Sequence, residues 1–536
     1  MKHITKKITK LCSFALLALA LFTISCEIPE NPEDVIELRL DTNVFTHKGF
    51  ISVNDLADQN NLNGKVLKGK VTVQGGATRP NILVSEGGNY GDVWDINDGF
   101  VAFAVNPQYA GFSEPIVFSL EIYGKDYLTK TVNYTINPED FITQTSEVVI
   151  NTKKVPEGVV IKEQTETLTG GSNTESIEVA TEASTSGTAA AVSVPAATVF
   201  KDDTGASITS GNLTAQVVYF DGNNDAAVRS SSSSSVESLV DESGNTLENV
   251  VLSPAASVDV KMFLGSTAVR QFEEPIEVSI DINKDLRNPN TRASVSVGDQ
   301  LNIYETSDDS NWRFQSKATV ISVDGKLVLS FPTDHLTTFL AGFIVNICGD
   351  NASAIIELPD GGAGFSSSYK GYFLDVDDNK TTAEANKIGS TLVVDRVPSS
   401  LSSLVLKPTV AGLPKVVVTA REWCDGGGVT VDEIQGLALP GVTVKVTASA
   451  KCSGGSSLTP DKIMISIDRN GNGVYDQVGL TDKGVIYIPG LSLNTEYSIK
   501  GTFNGDSAAG PYTFDSTNVV ITDFPIPADI CDQLGL

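Results

Sequence analysis

Alternation with a period of two dominates this chain. Apolar residues recur on alternate positions in Lys70–Val73, Val258–Met262, Ile276–Ile282, Lys326–Phe331, Val442–Ala448 and Lys462–Ile467. Side chains two apart on an extended strand share a face, so the pattern buries one side of a sheet and wets the other. These segments are rich in Val, Ile, Thr and aromatics, which pack well on a pleated surface. Turn clusters such as Asp221-Gly222-Asn223-Asn224, Asp324-Gly325 and Asn470-Gly471-Asn472-Gly473 separate them. No segment after Ile24 carries a helical apolar repeat of useful length. Short strands broken by frequent turns specify an all-β chain of tandem β-sandwich domains. A length of 536 residues corresponds to roughly three to five of them.

The start of the chain is different. Lys2, Lys6, Lys7 and Lys10 precede an apolar run from Leu11 to Ile24, long enough for a secretory signal and short for a membrane span. Ser25-Cys26 then reads as the end of a lipoprotein signal, with Cys26 lipidated and becoming the new N-terminus, although Thr23 stands where Leu is usual. The acidic residues that follow, Glu27, Glu30, Glu33 and Asp34, resemble the export tag of surface lipoproteins in the Bacteroidota. That resemblance implies an outer-membrane, lipid-anchored, surface-exposed protein.

Without residues 1–26 the chain has 34 basic against 66 acidic residues. Such an excess opposes nucleic acid, whose phosphates it would repel, and opposes electrostatic docking on anionic lipid. It suits a dispersed extracellular surface and cation binding. Four cysteines remain after Cys12 and Cys26: Cys348, Cys424, Cys452 and Cys531. Of the three possible pairings, Cys348–Cys424 and Cys452–Cys531 bracket segments of similar length, with separations of 76 and 79 residues. Zinc is the weaker alternative, since CxxC spacing is absent.

The expected organisation is a signal peptide over 1–26, a tether and sandwich over 27–147, and further sandwiches over 148–340, 341–436 and 437–536. Arg229 with Ser230–Ser235 reads as a disordered, low-complexity tip. In the second sandwich, Val192–Phe200 resembles an early strand of ZU5 domains. Trp312 and His335-Leu336-Thr337-Thr338-Phe339 resemble the closing strands of the ZU5 and GAIN modules. The last two segments look like copies. Phe343–Cys348 and Val442–Cys452 each run into a cysteine, Phe373–Asn379 corresponds to Ser466–Asn472, and Val397–Leu401 to Ile488–Ser492. Thr481–Tyr487 through Tyr497–Ile499 resembles the strand–turn–strand of prealbumin-like sandwiches of the Cna-B and carboxypeptidase-regulatory type. Those modules commonly serve as stalks, and some carry an intramolecular Lys–Asn crosslink.

Asp468-Arg469-Asn470-Gly471-Asn472-Gly473-Val474-Tyr475-Asp476 is the sharpest motif. Asp468, Asn470, Asn472 and Asp476 supply oxygens at positions 1, 3, 5 and 9, glycine occupies position 6, and the Val474 carbonyl takes position 7, as at the start of an EF-hand-type calcium loop. Position 12 is Gly479, so the bidentate carboxylate is missing. The alternative is an empty Asn/Gly turn. In the paired loop, Asp375, Asp377 and Asn379 are weaker cation candidates, with Lys380 at the glycine position and Ala383 at position 9. His335-Leu336-Thr337 matches the tripeptide at which GAIN modules self-cleave: His335 would deprotonate Thr337, whose hydroxyl would attack the Leu336 carbonyl. The cysteines that flank that region in GAIN modules are missing, so a plain β-strand is the favoured reading. Tyr90 and Trp94 could stack on a sugar whose hydroxyls Asp92 and Asp95 would bond, but the favoured reading makes Trp94 a core anchor beside a solvated turn. GxSxG, HExxH, Walker A and GxGxxG motifs are absent, and the mature chain holds only His47 and His335. A non-enzymatic surface protein for binding, adhesion or a structural stalk follows, with calcium as its cofactor and an unidentified protein or glycan ligand. A fimbrial subunit, a glycan-capture lipoprotein and a self-cleaving module are the alternatives.

Overall fold

The computed structural model describes residues 47–525 apart from 58–61, 63–64, 76–80, 86–90, 98, 110, 140–141, 169–170, 231–238, 307–311, 349–352, 359–367, 389–390, 409–413, 420–423, 425–430, 436–440, 452–456, 459–463, 472, 474, 482–483 and 504–505. Among these described residues the strands form six sheets, and the one α-helix is Asp225–Ser230. The all-β expectation holds.

The first unit is an eight-stranded sheet running from Lys48–Asp55 to Ile142–Val149. Alternation sets its inner face: on Ile116–Gly124 the buried side chains are Ile116, Phe118, Leu120 and Ile122. The sheet curls over on itself. Phe103 and Phe118 sit on strands separated by two others, yet their rings meet edge-on at 5.2 Å. The last strand closes the unit by pairing in parallel with the first.

The second unit stacks a six-stranded on a nine-stranded sheet. Val192, Phe200, Val278 and Phe331 from one sheet meet Tyr219, Val258, Met262 and Phe339 from the other in one core. Each such side chain contributes on the order of 1.5–3 kcal/mol when fully buried. Asp324-Gly325 forms the expected two-residue hairpin, with φ of 52° and 80° at its two positions. Phe343–Cys348, expected to open the third unit, belongs instead largely to strand Thr338–Asn346, which pairs with Val250–Leu264 of the second. Its alternation is the same whichever sheet it joins, so sequence could not assign it. Asp221–Asn224 turns the chain as expected and then starts a helix. The Asn224 side chain accepts the Ala226 N–H at 2.9 Å, an N-cap. Arg229 and Ser230 are therefore helical, not a disordered tip, and Ser230 is buried with Val228. Burial between neighbouring units decides this, and no local pattern carries it. Residues 231–235 lie outside the described residues.

The third unit is a seven-stranded sheet, and the fourth packs two four-stranded sheets about Val444, Ile467, Ile488 and Phe514. They share a run of four neighbours. The order is Lys380–Ile388, Ser368–Asp375, Leu401–Pro408, Lys415–Thr419 in the third. In the fourth it is Asp476–Leu480, Met464–Asp468, Glu496–Phe503, Asp506–Thr513.

Units one to three are packed together. Leu128 and Ile150 of the first join Val159, Val218, Phe220 and Ala227 of the second in one buried cluster. Val228 of the helix packs on Tyr372 and Val405 of the third. Chain passes directly from the second to the third unit: Ile347 bridges to Pro398, and Cys348 N–H donates to the Val397 carbonyl at 2.8 Å.

Candidate functional site

His335 ends strand Lys326–His335 and Thr338 begins the next, so the tripeptide sits at a corner between the two sheets of the second unit. Glu305 and Thr306 of strand Gln300–Thr306 face it. His335 Nε2 lies 2.7 Å from a Glu305 oxygen and Nδ1 lies 2.8 Å from an Asp334 oxygen. The bond to Glu305 outweighs burial and, with Asp334, holds the imidazole charged, its pKa pushed up to about 9. An imidazolium donating from both nitrogens has no lone pair with which to take a proton. Thr337 is occupied as well: its hydroxyl donates to the Thr306 carbonyl at 2.9 Å and receives the Thr306 hydroxyl at 2.7 Å. Leu336 is buried and its N–H donates to the Arg270 carbonyl at 3.0 Å. Thus the residue types for self-cleavage are present, but they serve as a polar clasp between sheets. Glu305 and Thr306 carry no sequence signal for this role, because they lie about 30 residues upstream.

The two paired loops begin alike and then diverge. Asp468 ends strand Met464–Asp468 and is buried. One of its oxygens accepts the Asn470 N–H at 3.1 Å and the other the Gly473 N–H at 2.7 Å. Gly471 and Gly473 take φ of 65° and 79°, which lets the chain coil round the carboxylate. That arrangement fits the first position of a cation loop, where a fixed carboxylate and a glycine-permitted turn are needed. Asn472, Val474 and the Asp476 side chain lie outside the described residues.

Asp375 occupies the same place at the end of Ser368–Asp375 and accepts the N–H groups of Asp377 and Asn379 at 2.8 and 3.0 Å. Here, however, the Asn379 amide donates to the second Asp375 oxygen at 2.7 Å. Lys380, at the glycine position, reaches the second unit, donating to the Asn223 carbonyl at 2.8 Å. Its Nζ also lies 3.6 Å from Asp225. A positive side chain and an amide donor fill the roles a cation would have, so this copy is a joint between units.

The aromatic loop is also structural in its main member. Trp94 is 1% exposed, stacks on Phe103 at 5.5 Å and donates its ring N–H to the Gly91 carbonyl. The core-anchor reading of Trp94 holds and the sugar platform loses its main member: alternation along Val93–Asn97 turns Trp94 inward and leaves Asp95 outside, paired with Lys68. Tyr90 lies outside the described residues, and Asp92 is exposed.

Cys348 and Cys424 are joined by a disulfide, with a Cα separation of 4.8 Å. Cys452, Cys531 and Cys26 lie outside the described residues. No group of three or more His, Cys, Asp or Glu poised for a metal occurs among the described residues.

No protein-family model matches the chain, and no curated protein matches it. Among solved structures it is similar to a Streptococcal ancillary pilin, at 11% identity over 45% of this chain and 95% of that one, with a TM-score of 0.13. A second is the Bacillus anthracis TIE protein, at 8% identity over 86% of this chain and 68% of that one, also with a TM-score of 0.13. At these scores the likeness says nothing about what this chain does.

Proposed function

We propose that this chain is a non-enzymatic, surface-displayed β-protein, held to the outer membrane by a lipid on Cys26 and serving in adhesion or as a structural support. What carries the reading is how the chemically capable side chains are used. His335 and Thr337 fasten one sheet to another, Trp94 fills a core, Asp375 ties its own loop, and Lys380 fastens one unit to the next. Polar groups of this kind, committed to partners inside the fold, hold a scaffold rigid and leave no free nucleophile or base at those positions.

The last unit is proposed to bind calcium through Asp468, Asn470, Asn472, the Val474 carbonyl and Asp476, with the ion stiffening a hairpin tip and performing no chemistry. A second disulfide, Cys452–Cys531, is proposed for the same unit. Fractionation tests the anchor. Cys26→Ala should release the protein from the membrane fraction or block processing of its leader. Unchanged membrane retention with normal processing would refute the anchor and leave the scaffold reading to be judged on the folded domain alone.

A further inference from the structure

Four ionisable side chains line up where the first unit meets the third, three of them largely buried and Glu384 33% exposed. Glu147, on strand Ile142–Val149, has a side chain 5% exposed, and Lys130, on Tyr127–Ile136, one 11% exposed. They pair at 2.8 Å. Across the junction, Lys370 on Ser368–Asp375 is 2% exposed and forms an ion pair with Glu384, its cross-strand neighbour on Lys380–Ile388. Lys370 also lies 3.2 Å from the Glu147 oxygen that Lys130 holds. The charges therefore alternate along one line: Lys130, Glu147, Lys370, Glu384. Lys130 also donates to the Val148 carbonyl at 3.2 Å, and the Tyr134 hydroxyl lies 3.5 Å from the other Glu147 oxygen.

We infer that this quartet is a releasable latch, which closes the first three units into a compact triangle and, when opened, frees the first unit from the third without unfolding either. Three observations support it. The first and third units are not consecutive, so the contact between Glu147 and Lys370 spans 223 residues and closes a ring that the other two junctions leave open. Among the described residues, neither of those junctions buries an ion pair as deeply. Between the first and second units lies an apolar cluster about Phe220, reinforced by Lys261 donating to the Thr129 carbonyl at 2.7 Å. The second and third are joined by continuous chain, by the Arg396 guanidinium on the Val250 carbonyl, and by the more exposed ion pairs of Asp225 with Lys380 and Lys407 and of Arg287 with Asp377. Finally, each side of the latch is neutral by itself. Lys130 with Glu147 and Lys370 with Glu384 remain paired when the halves part, so separation hydrates two neutral pairs and strands no charge.

Docked, Glu147 and Lys370 hold each other charged, while burial, with the like charge of Lys370 beside it, pulls Lys130 below its ordinary value. Burial would raise Glu147, but Lys130 and Lys370 outweigh it and hold the carboxyl below its ordinary range. Burial would lower Lys370, and Glu147 and Glu384 hold it above its ordinary value. A buried ionic line of this sort fixes registry more than it adds stability, because desolvation offsets much of the attraction.

Lys370→Met in the full mature chain removes the crossing charge and leaves Lys130 with Glu147. Scattering should then show a larger radius of gyration, with far-UV circular dichroism unchanged. Amide exchange in Ile142–Val149 and Ser368–Asp375 should rise by about tenfold or more, as for a local opening. Reversing all four charges (Lys130→Glu, Glu147→Lys, Lys370→Glu and Glu384→Lys together) should restore the compact form. Unchanged dimensions and exchange in Lys370→Met would overturn the latch. Loss of the β-sheet spectrum would overturn it too, since the quartet would then be required for folding and not merely for docking.

Discussion

Replacing His335 by Gln tests whether the self-cleavage tripeptide is a clasp. In the folded protein His335 has a pKa of about 9, against an ordinary value of 6.5. A folded pKa above the unfolded one means stability that is fully present below about 6.5 and lost as pH rises through about 9. The gap between these values corresponds to roughly 3 kcal/mol at most. The side chain is 34% exposed, so solvent screening reduces the contribution to about 1 kcal/mol. Trp312 is a suitable reporter, being buried on the strand that pairs with Glu305 and Thr306. With Trp94 and Trp423 changed to Phe, it is the only tryptophan of the chain. Urea unfolding at pH 6 should place the His335→Gln midpoint about 0.5 M below its parent, given a slope of roughly 2 kcal/mol per M. At pH 10 the two midpoints should converge. A gap that stays constant or widens toward pH 10 would refute the ion-pair account. The same reasoning requires one intact chain on a denaturing gel. Fragments meeting at Leu336–Thr337 that vanish in Thr337→Ala would overturn the clasp and make Thr337 a self-cleaving nucleophile.

Further outcomes follow from the other sites. Replacing Cys348 and Cys424 together by Ser opens a loop of 76 residues and should lower stability of the third unit by up to about 4 kcal/mol in denaturant titrations. Trp94→Ala should cost about 3–5 kcal/mol in the first unit, as core truncations of aromatics do. A variant of wild-type stability would mean that Trp94 is not in the core. Calcium binding should be modest, with a dissociation constant on the order of 10⁻⁴ to 10⁻³ M, as for extracellular modules. Calcium at 100 times that constant should stabilise the last unit by roughly 2.7 kcal/mol. Calorimetry should show that gain lost in Asp468→Ala, and no calcium-dependent shift in the parent would make the loop a plain turn.

Much was determined by sequence alone. A period of two fixes which side chains of Ile276–Ile282 face inward, and Asp324-Gly325 fixes a hairpin, because both depend on neighbours in the chain. The pairing of Cys348 with Cys424 was legible from the domain-sized spacing of cysteines. The match between the Asp375 and Asp468 loops was legible because each aspartate folds onto N–H groups only a few residues ahead.

What tertiary structure decided involves partners far away in sequence. Thr338–Asn346 has the same alternation whether it joins the second or the third unit, and only pairing with Val250–Leu264 places it. The helix Asp225–Ser230 is too short to hold itself together and exists because Ala227 and Val228 are buried between units. Trp94 could face either side of its strand until Phe103 and Phe118 supplied a core. His335 and Thr337 have the composition of a reactive pair, yet Glu305 and Thr306, brought in from another strand, set their protonation and hydrogen bonding. Residue types announce which chemistry is possible; the charges and donors that the fold places around them select which of it takes place.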